Sequence, residues 1–154
     1  MRPLEQLLAD IPFFHGLAPE TLALLAGCAS NVHFAEGETL FERGHAADVF
    51  YVIRDGSVAL ETYAPTSGPI LIETLEEGEI VGWSWLFEPH RWHLDGRALS
   101  AVRATSFDAT CLRGKCDGDP ALGYELMRRF AQVLIDRLQW TRFRLIDVYG
   151  DGKR

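Results

Sequence analysis

Cysteine is scarce in this chain, and its arrangement excludes more than its number does. Cys28, Cys111 and Cys116 are three in 154 residues, an odd count without a CxxC pair, so neither a disulfide framework nor a zinc knuckle is expected. They read as buried or half-buried thiols, because free Cys behaves as a small hydrophobe. Positive charge is also in short supply: 15 Lys and Arg against 22 Asp and Glu leave a formal charge of −7. A duplex-DNA surface needs clustered cations to displace phosphate counterions, so direct DNA binding is not expected. No apolar run approaches the roughly 20 residues of a membrane span. The opening MRPLEQLLAD carries Glu5 and Asp10 where a secretory signal would stay apolar. A cytoplasmic location without a membrane partner is the resulting expectation.

What is present suits one domain over 1–154, since 47% hydrophobic and 24% charged residues can bury one sizeable core. Residues 1–29 form a helical preface, with Leu4, Leu7, Leu8 and Ile11 at helical spacing before Pro12 interrupts. Over 30–110 the texture turns β-branched and aromatic, punctuated by glycines, as in a sandwich or barrel. Val49 to Arg54 and Val58 to Tyr63 are the clearest strands, joined as a tight hairpin through Asp55-Gly56. Residues 111–150 are helical. Asp119-Pro120 starts a long helix to about Val148, Glu125 and Arg129 make an i,i+4 pair, and Gly150 with Gly152 marks the stop.

Two apolar stripes run along that helix. Leu122, Leu126, Phe130 and Val133 form one; Met127, Ala131, Leu134, Leu138, Thr141, Leu145 and Val148 form the other, at coiled-coil spacing. Two stripes imply two surfaces, the barrel and a second copy of the chain, with Leu134, Leu138, Thr141 and Leu145 at the dimer seam. The alternative is one wide face packed on its own domain.

The run Gly37, Leu40, Phe41, Gly44, Ala46, Val49, Tyr51, Val52, Ile53, Gly56 and Val58 resembles the cyclic nucleotide-binding domain family. LEEGEIVGW, Leu75 to Trp83, is similar to the start of that family's phosphate-binding cassette, here 78–98, and RLQWT resembles the central helix of catabolite-activator-type sensor domains. The resemblance implies an α+β, mainly β fold: a double-stranded β-helix, or jelly-roll barrel, with N-terminal helices and a long C-terminal helix. It implies a ligand site at Gly82, Trp83, Ser84, Trp85, Arg91, Arg97, Ala98 and Thr141, with Thr141 near the base, and a cyclic nucleotide such as cAMP, or another small ligand, as its occupant. Trp83 stands where the family has a ribose-binding Glu, and Ala98 where it has the phosphate-binding Arg. Arg97 is one residue early and should face away, unless a bulge at Gly96 turns it inward.

Between these positions GWSWLFEPHRWHLDG is about four residues longer than a compact cassette and holds three of the four tryptophans. Trp83, Trp85 and Trp92 either plug the barrel mouth or stack on a planar ligand, with Arg91 and His93 as replacement phosphate partners. Trp83 and Trp85, two apart, cannot share a face, so one should turn into the barrel and the other toward solvent or a partner. His90 and His93, with His33 and His45, raise a metal-dependent cupin-like enzyme, but the HxH-plus-carboxylate array is missing. Ser84 lacks the G-x-S-x-G elbow. No catalytic residue and no metal ligand is therefore assigned.

The expected function is a stand-alone regulatory sensor with a degenerate cassette, lacking the helix-turn-helix of the transcription-regulator branch and signalling to a protein partner. The alternative is a dimeric assembly subunit that binds no nucleotide. Small proteins with a similar Trp-rich cassette resemble ones encoded beside bacterial redox enzymes, which suggests the partner's class.

Overall fold

The computed structural model describes residues 4–151. Helices α1 (Leu4–Ala9) and α2 (Pro19–Ala26) flank a 3-10 turn at Pro12–Phe14. Eight strands follow: β1 (Ala29–Phe34), β2 (Thr39–Phe41), β3 (Val49–Asp55), β4 (Val58–Ala64), β5 (Gly68–Leu75), β6 (Ile80–Val81), β7 (Asp95–Ala98) and β8 (Val102–Asp108). They form two antiparallel four-stranded sheets, ordered β1-β8-β3-β6 and β2-β7-β4-β5. A second 3-10 turn, Ser84–Leu86, lies between β6 and β7, and α3 (Ala109–Gly118) and α4 (Pro120–Asp151) complete the chain. This is the jelly roll with N-terminal helices and a long C-terminal helix that the resemblance implies.

One local expectation is corrected. Asp55-Gly56 does not close a paired hairpin, because β3 belongs to the first sheet and β4 to the second. It is a corner where the chain changes sheets. Gly56 has φ of 97° there, and a Cβ would lie 2.3 Å from the Ala101 carbonyl oxygen. Both the left-handed backbone and the close approach require glycine.

Strand β3 explains why the molecule has two cores. Side chains alternate along a strand, so Phe50 and Val52 face the helices while Tyr51 and Ile53 face the barrel interior. The strand is consequently apolar on both faces. The helix-side core gathers Leu8, Phe14, Leu25, Phe50, Trp85, Phe107, Leu112, Leu126 and Phe130. The barrel core gathers Phe41, Tyr51, Ile53, Val58, Leu60, Leu75, Val81, Trp92 and Ala98.

Helix α4 starts as its sequence demands, with an Asp119 carboxylate oxygen accepting from the Leu122 amide at 3.3 Å. Arg129 pairs with Glu125 at 2.9 Å. Leu122, Leu126 and Phe130 are buried and Val133 half-buried, whereas Met127, Leu138, Thr141, Leu145 and Val148 are exposed and Leu134 is half-buried. Gly150 does not stop the helix, which runs to Asp151; Gly152 lies outside the described residues.

The cysteine expectation is also corrected. Cys28 and Cys111 are disulfide-bonded across 83 residues, and Cys116 is a free, half-buried thiol. The reason is register: Ala29 opposes Phe107 in the β1–β8 pair, so the residue before β1 meets the first turn after β8. Neither the count nor the spacing of cysteines contains that information. Burial pushes the Cys116 thiol up, and Asp117 and Asp119 add to it.

Phe130 joins α4 to the rest of the molecule, with ring centroids 4.9 Å from Phe13, 5.1 Å from Phe50 and 5.4 Å from Trp85. Phe130→Ala is expected to cost about 3–5 kcal/mol, read as a lower urea midpoint at unchanged slope. A loss under about 1 kcal/mol would show that α4 docking does not rest on this ring.

Candidate functional site

The segment from β6 through the Ser84–Leu86 turn to β7 closes one mouth of the barrel. Inside that mouth Trp92, 5% exposed, lies on Phe41 with centroids 3.9 Å apart and planes 15° apart. Two glycines make room for the pair. A Cβ on Gly82 would sit 2.6 Å from the Trp92 ring, and one on Gly96 would sit 2.5 Å from the Phe41 ring. Gly82 also has φ of 101°. Glycine at 82 thus serves both the cassette turn and the tryptophan behind it.

Around this stack Leu60, Gly82, Trp83, Ser84, His93 and Leu94 complete the lining, and the free space left is about 30 Å³. Ligand pockets run to roughly 300–1,000 Å³. The lining is apolar except at one point, where Oγ of buried Ser84 and Nδ1 of exposed His93 are hydrogen-bonded at 3.1 Å.

Trp83 forms the wall toward α4. The Arg137 guanidinium lies 5.1 Å from its ring centroid, donates to the Ile80 carbonyl and stands 4.0 Å from the Glu73 carboxylate. Burial holds Arg137 below the usual guanidinium range, against the pull of Glu73 and Glu79, and its Nη1 is buried without a partner. Burial likewise pushes the Glu79 carboxyl up, with Arg137 acting against the shift. A cation over an aromatic face gains more when desolvated, so Arg137 ties the helix to the cassette wall.

Of the expected ligand residues, the structure brings together Gly82, Trp83 and Ser84. Trp85 goes elsewhere: it is fully buried in the helix-side core, stacked on Phe50 at 5.1 Å. Arg91 is exposed and donates to the Gly44 carbonyl at 2.7 Å. Arg97 points out of the barrel and clasps Glu61 through two bonds of 2.9 and 3.0 Å, which hold the Glu61 carboxyl below its ordinary value. The register irregularity near Gly96 falls in β2, between Thr39 and Phe41, while β7 pairs regularly with β4; Arg97 is therefore not turned inward. Ala98 is buried in the barrel core beside the pocket rather than on its lining. Thr141 is exposed, its hydroxyl donating to the Arg137 carbonyl at 2.9 Å, and in a single chain it does not reach the pocket.

Sequence reasoning missed Phe41, Leu60, Leu94 and Arg137. Phe41 carried a signal, since a large ring needs a small residue opposite, and Gly96 is its register partner. Arg137 carried none, because its role depends on how α4 lies on the barrel. His90, His33 and His45 are not gathered with His93: among the described residues, no group of three or more His, Cys, Asp or Glu is placed to hold a metal. No described helix is long and apolar enough to cross a membrane.

Comparisons with known proteins agree with this architecture. The model of the cyclic nucleotide-binding domain matches residues 31–119, more than half of the chain. The CRP-like cAMP-activated global transcriptional regulator of Mycobacterium tuberculosis is 28% identical over 145 residues, 94% of this chain and 63% of the regulator. The chain thus spans less than two thirds of that relative's length. A Geobacter metallireducens structure named for cyclic nucleotide binding superposes with a TM-score of 0.80 at 27% identity, covering 90% of this chain and 99% of that one. The N-terminal domain of a Streptomyces coelicolor transcriptional regulator gives 0.67 at 27%, covering 94% and 95%. At 16% identity the regulatory domain of Toxoplasma gondii PKA with cAMP shares the fold, with a TM-score of 0.69, covering 84% of this chain and 49% of that one. With the matched segment containing both sheets' central strands and the whole cassette, the chain belongs to the cyclic nucleotide-binding domain family.

Proposed function

We propose that the chain is a regulatory module of this family, one unit over 1–154, whose cassette has exchanged the sugar and phosphate anchors for aromatic packing. It signals to a protein partner through the cassette and α4, and it catalyses no reaction. The observation that carries this reading is the Trp92–Phe41 stack in the barrel mouth, which leaves only about 30 Å³ free. The lining adds no permanent cation for a phosphate: Arg97 is held outside by Glu61 and Arg91 by Gly44. A bacterial redox enzyme is the class of partner that the Trp-rich cassette suggests, in a cytoplasmic setting.

The mycobacterial relative is named as cAMP-activated, so cAMP is the first probe. A hydrogen bond to a charged group contributes roughly 1.5–3 kcal/mol, and two such anchors are missing. Calorimetry should show cAMP binding weaker by about two to four decades than in a family member with both anchors. Trp92→Ala should recover more affinity than Trp83→Glu, since it removes the ring inside the mouth, and Arg97→Ala should change nothing. Submicromolar wild-type affinity, or sensitivity to Arg97, would show the cassette misread. If neither tryptophan variant gains affinity for any nucleotide, the second reading stands, a dimeric assembly subunit without a ligand. The same filled mouth favours it.

The second copy is part of the reading. Leu138 and Leu145 are 54% and 50% exposed, beside exposed Ile135, Ile146 and Tyr149 on α4. Burying one such side chain contributes about 1.5–3 kcal/mol. Light scattering is expected to show a dimer at micromolar concentration and a monomer for Leu138→Asp. A monomeric wild type overturns the dimer.

A further inference from the structure

The Cys28–Cys111 disulfide lies outside the ligand pocket and has its own approach from solvent. Cys28 lines an open cleft of about 380 Å³ with Ser30, Asp48, Ser106, Asp108 and Thr110. Cys111 is the third residue of α3, its amide donating to the Asp108 carboxylate at 3.0 Å. A helix N-terminus favours negative charge, and here the Asp108 carboxylate occupies it. Cys28 is 7% exposed and Cys111 half-buried, so the cleft that Cys28 lines is the approach open to a small thiol at that sulfur.

Its neighbours connect it to the cassette. Helix α3 carries Arg113, which donates to the Trp85 carbonyl at 2.7 Å within the Ser84–Leu86 turn, and Leu112, fully buried in the helix-side core. Lys115 donates to the Leu24 carbonyl at 2.8 Å. The disulfide ties the first turn of this helix to the start of β1. Cys28 belongs to the helix-side core on which α3 packs, and Cys111 packs against it.

We propose that Cys28–Cys111 is a redox-active site, reduced by small thiols through the acidic cleft, and that its state sets how firmly α3 holds the cassette turn. A thiolate attacks Cys28 Sγ, the bond between the sulfurs breaks, and Cys111 leaves as thiolate. A second thiolate attacks the mixed disulfide at the sulfur contributed by the first, releasing the external disulfide and the Cys28 thiolate. Two thiols supply the two electrons and two protons that leave two cysteines. An external disulfide reverses the steps. Asp48 and Asp108 flank the approach with no cation in the cleft lining, so the cleft selects cationic or neutral thiols over anionic ones.

The proposal stands apart from the ligand reading, because its test uses no nucleotide. Reduction of the full chain is followed by alkylation and mass shift with cysteamine, mercaptoethanol and glutathione, each rate divided by thiolate concentration. Cysteamine is expected fastest and glutathione slowest, with the gap closing at high salt. Cys28 and Cys111 should appear together as one reversible two-electron step in glutathione buffers. On reduction, amide exchange across residues 83–93 should rise about tenfold while β3 and β8 stay protected. Cys28→Ser/Cys111→Ser should match the reduced wild type with or without reductant. Four results overturn the proposal: a bond reducible only in denaturant, equal rates per thiolate for the three thiols, a cassette with unchanged exchange, or loss of protection throughout. The reduced wild type decides the matter even if the double variant does not fold.

Discussion

The stacked aromatic cluster around Phe50 is the constraint on which the other parts depend. Phe107 lies 4.6 Å from it on β8 and Trp85 5.1 Å from it in the cassette turn, both nearly parallel, while Phe130 of α4 meets it edge-on at 5.1 Å. Phe14 reaches Phe107 at 5.5 Å from the N-terminal turn. Sheet, cassette, N-terminal helices and α4 therefore share one contact set. Close-packed interiors transmit strain rather than absorb it, so a change at one ring is felt at its neighbours.

The cassette tryptophans divide between this cluster and the barrel. Trp85 belongs to the helix-side core and is a structural residue of the turn. Trp92 belongs to the barrel core, and the glycines at 82 and 96 accommodate it and its partner ring. Trp83, between the two, is half-buried and held by a cation. A site that binds a phosphate ester needs polar partners and room; in this mouth the Trp92–Phe41 stack leaves about 30 Å³ free. The polar pair in its lining is Ser84 with His93, hydrogen-bonded to each other at 3.1 Å.

The barrel, the two helical ends and the cassette's place were legible because they depend on local pattern. Glycine turns, alternating strands and the capped Asp119-Pro120 start all act within a few residues. Arg97 could also be read, since a one-residue offset on a strand reverses a side chain, and the observed pair with Glu61 lies on the outer face. The failures share a different cause. The disulfide depends on which strand pairs with which, as does the sheet change at Gly56, and Arg137 depends on the angle at which a helix crosses a barrel. Trp85 was assigned to the pocket by its neighbourhood in sequence, whereas one residue along a tight turn suffices to aim a ring into another core.

Helix α4 shows how one element can serve two surfaces. Its first half is docked by apolar side chains, Leu122, Leu126 and Phe130. Farther along, the contacts change character: Arg137 donates to the Ile80 carbonyl and Arg144, seven residues on, to the Ile72 carbonyl. Ile72 is the extra residue of a bulge, where the β4–β5 register shifts between Leu60 and Glu61. A bulge leaves a residue outside the regular ladder, so its carbonyl has a place for a donor. Residues seven apart lie on nearly the same face of a helix, and the two guanidinium groups thus hold one line of α4 to backbone groups of the barrel. The leucines on the adjoining line are not used for that purpose. Fixing the distal helix through backbone carbonyls leaves its apolar surface available for a second surface while its orientation is already set by the barrel.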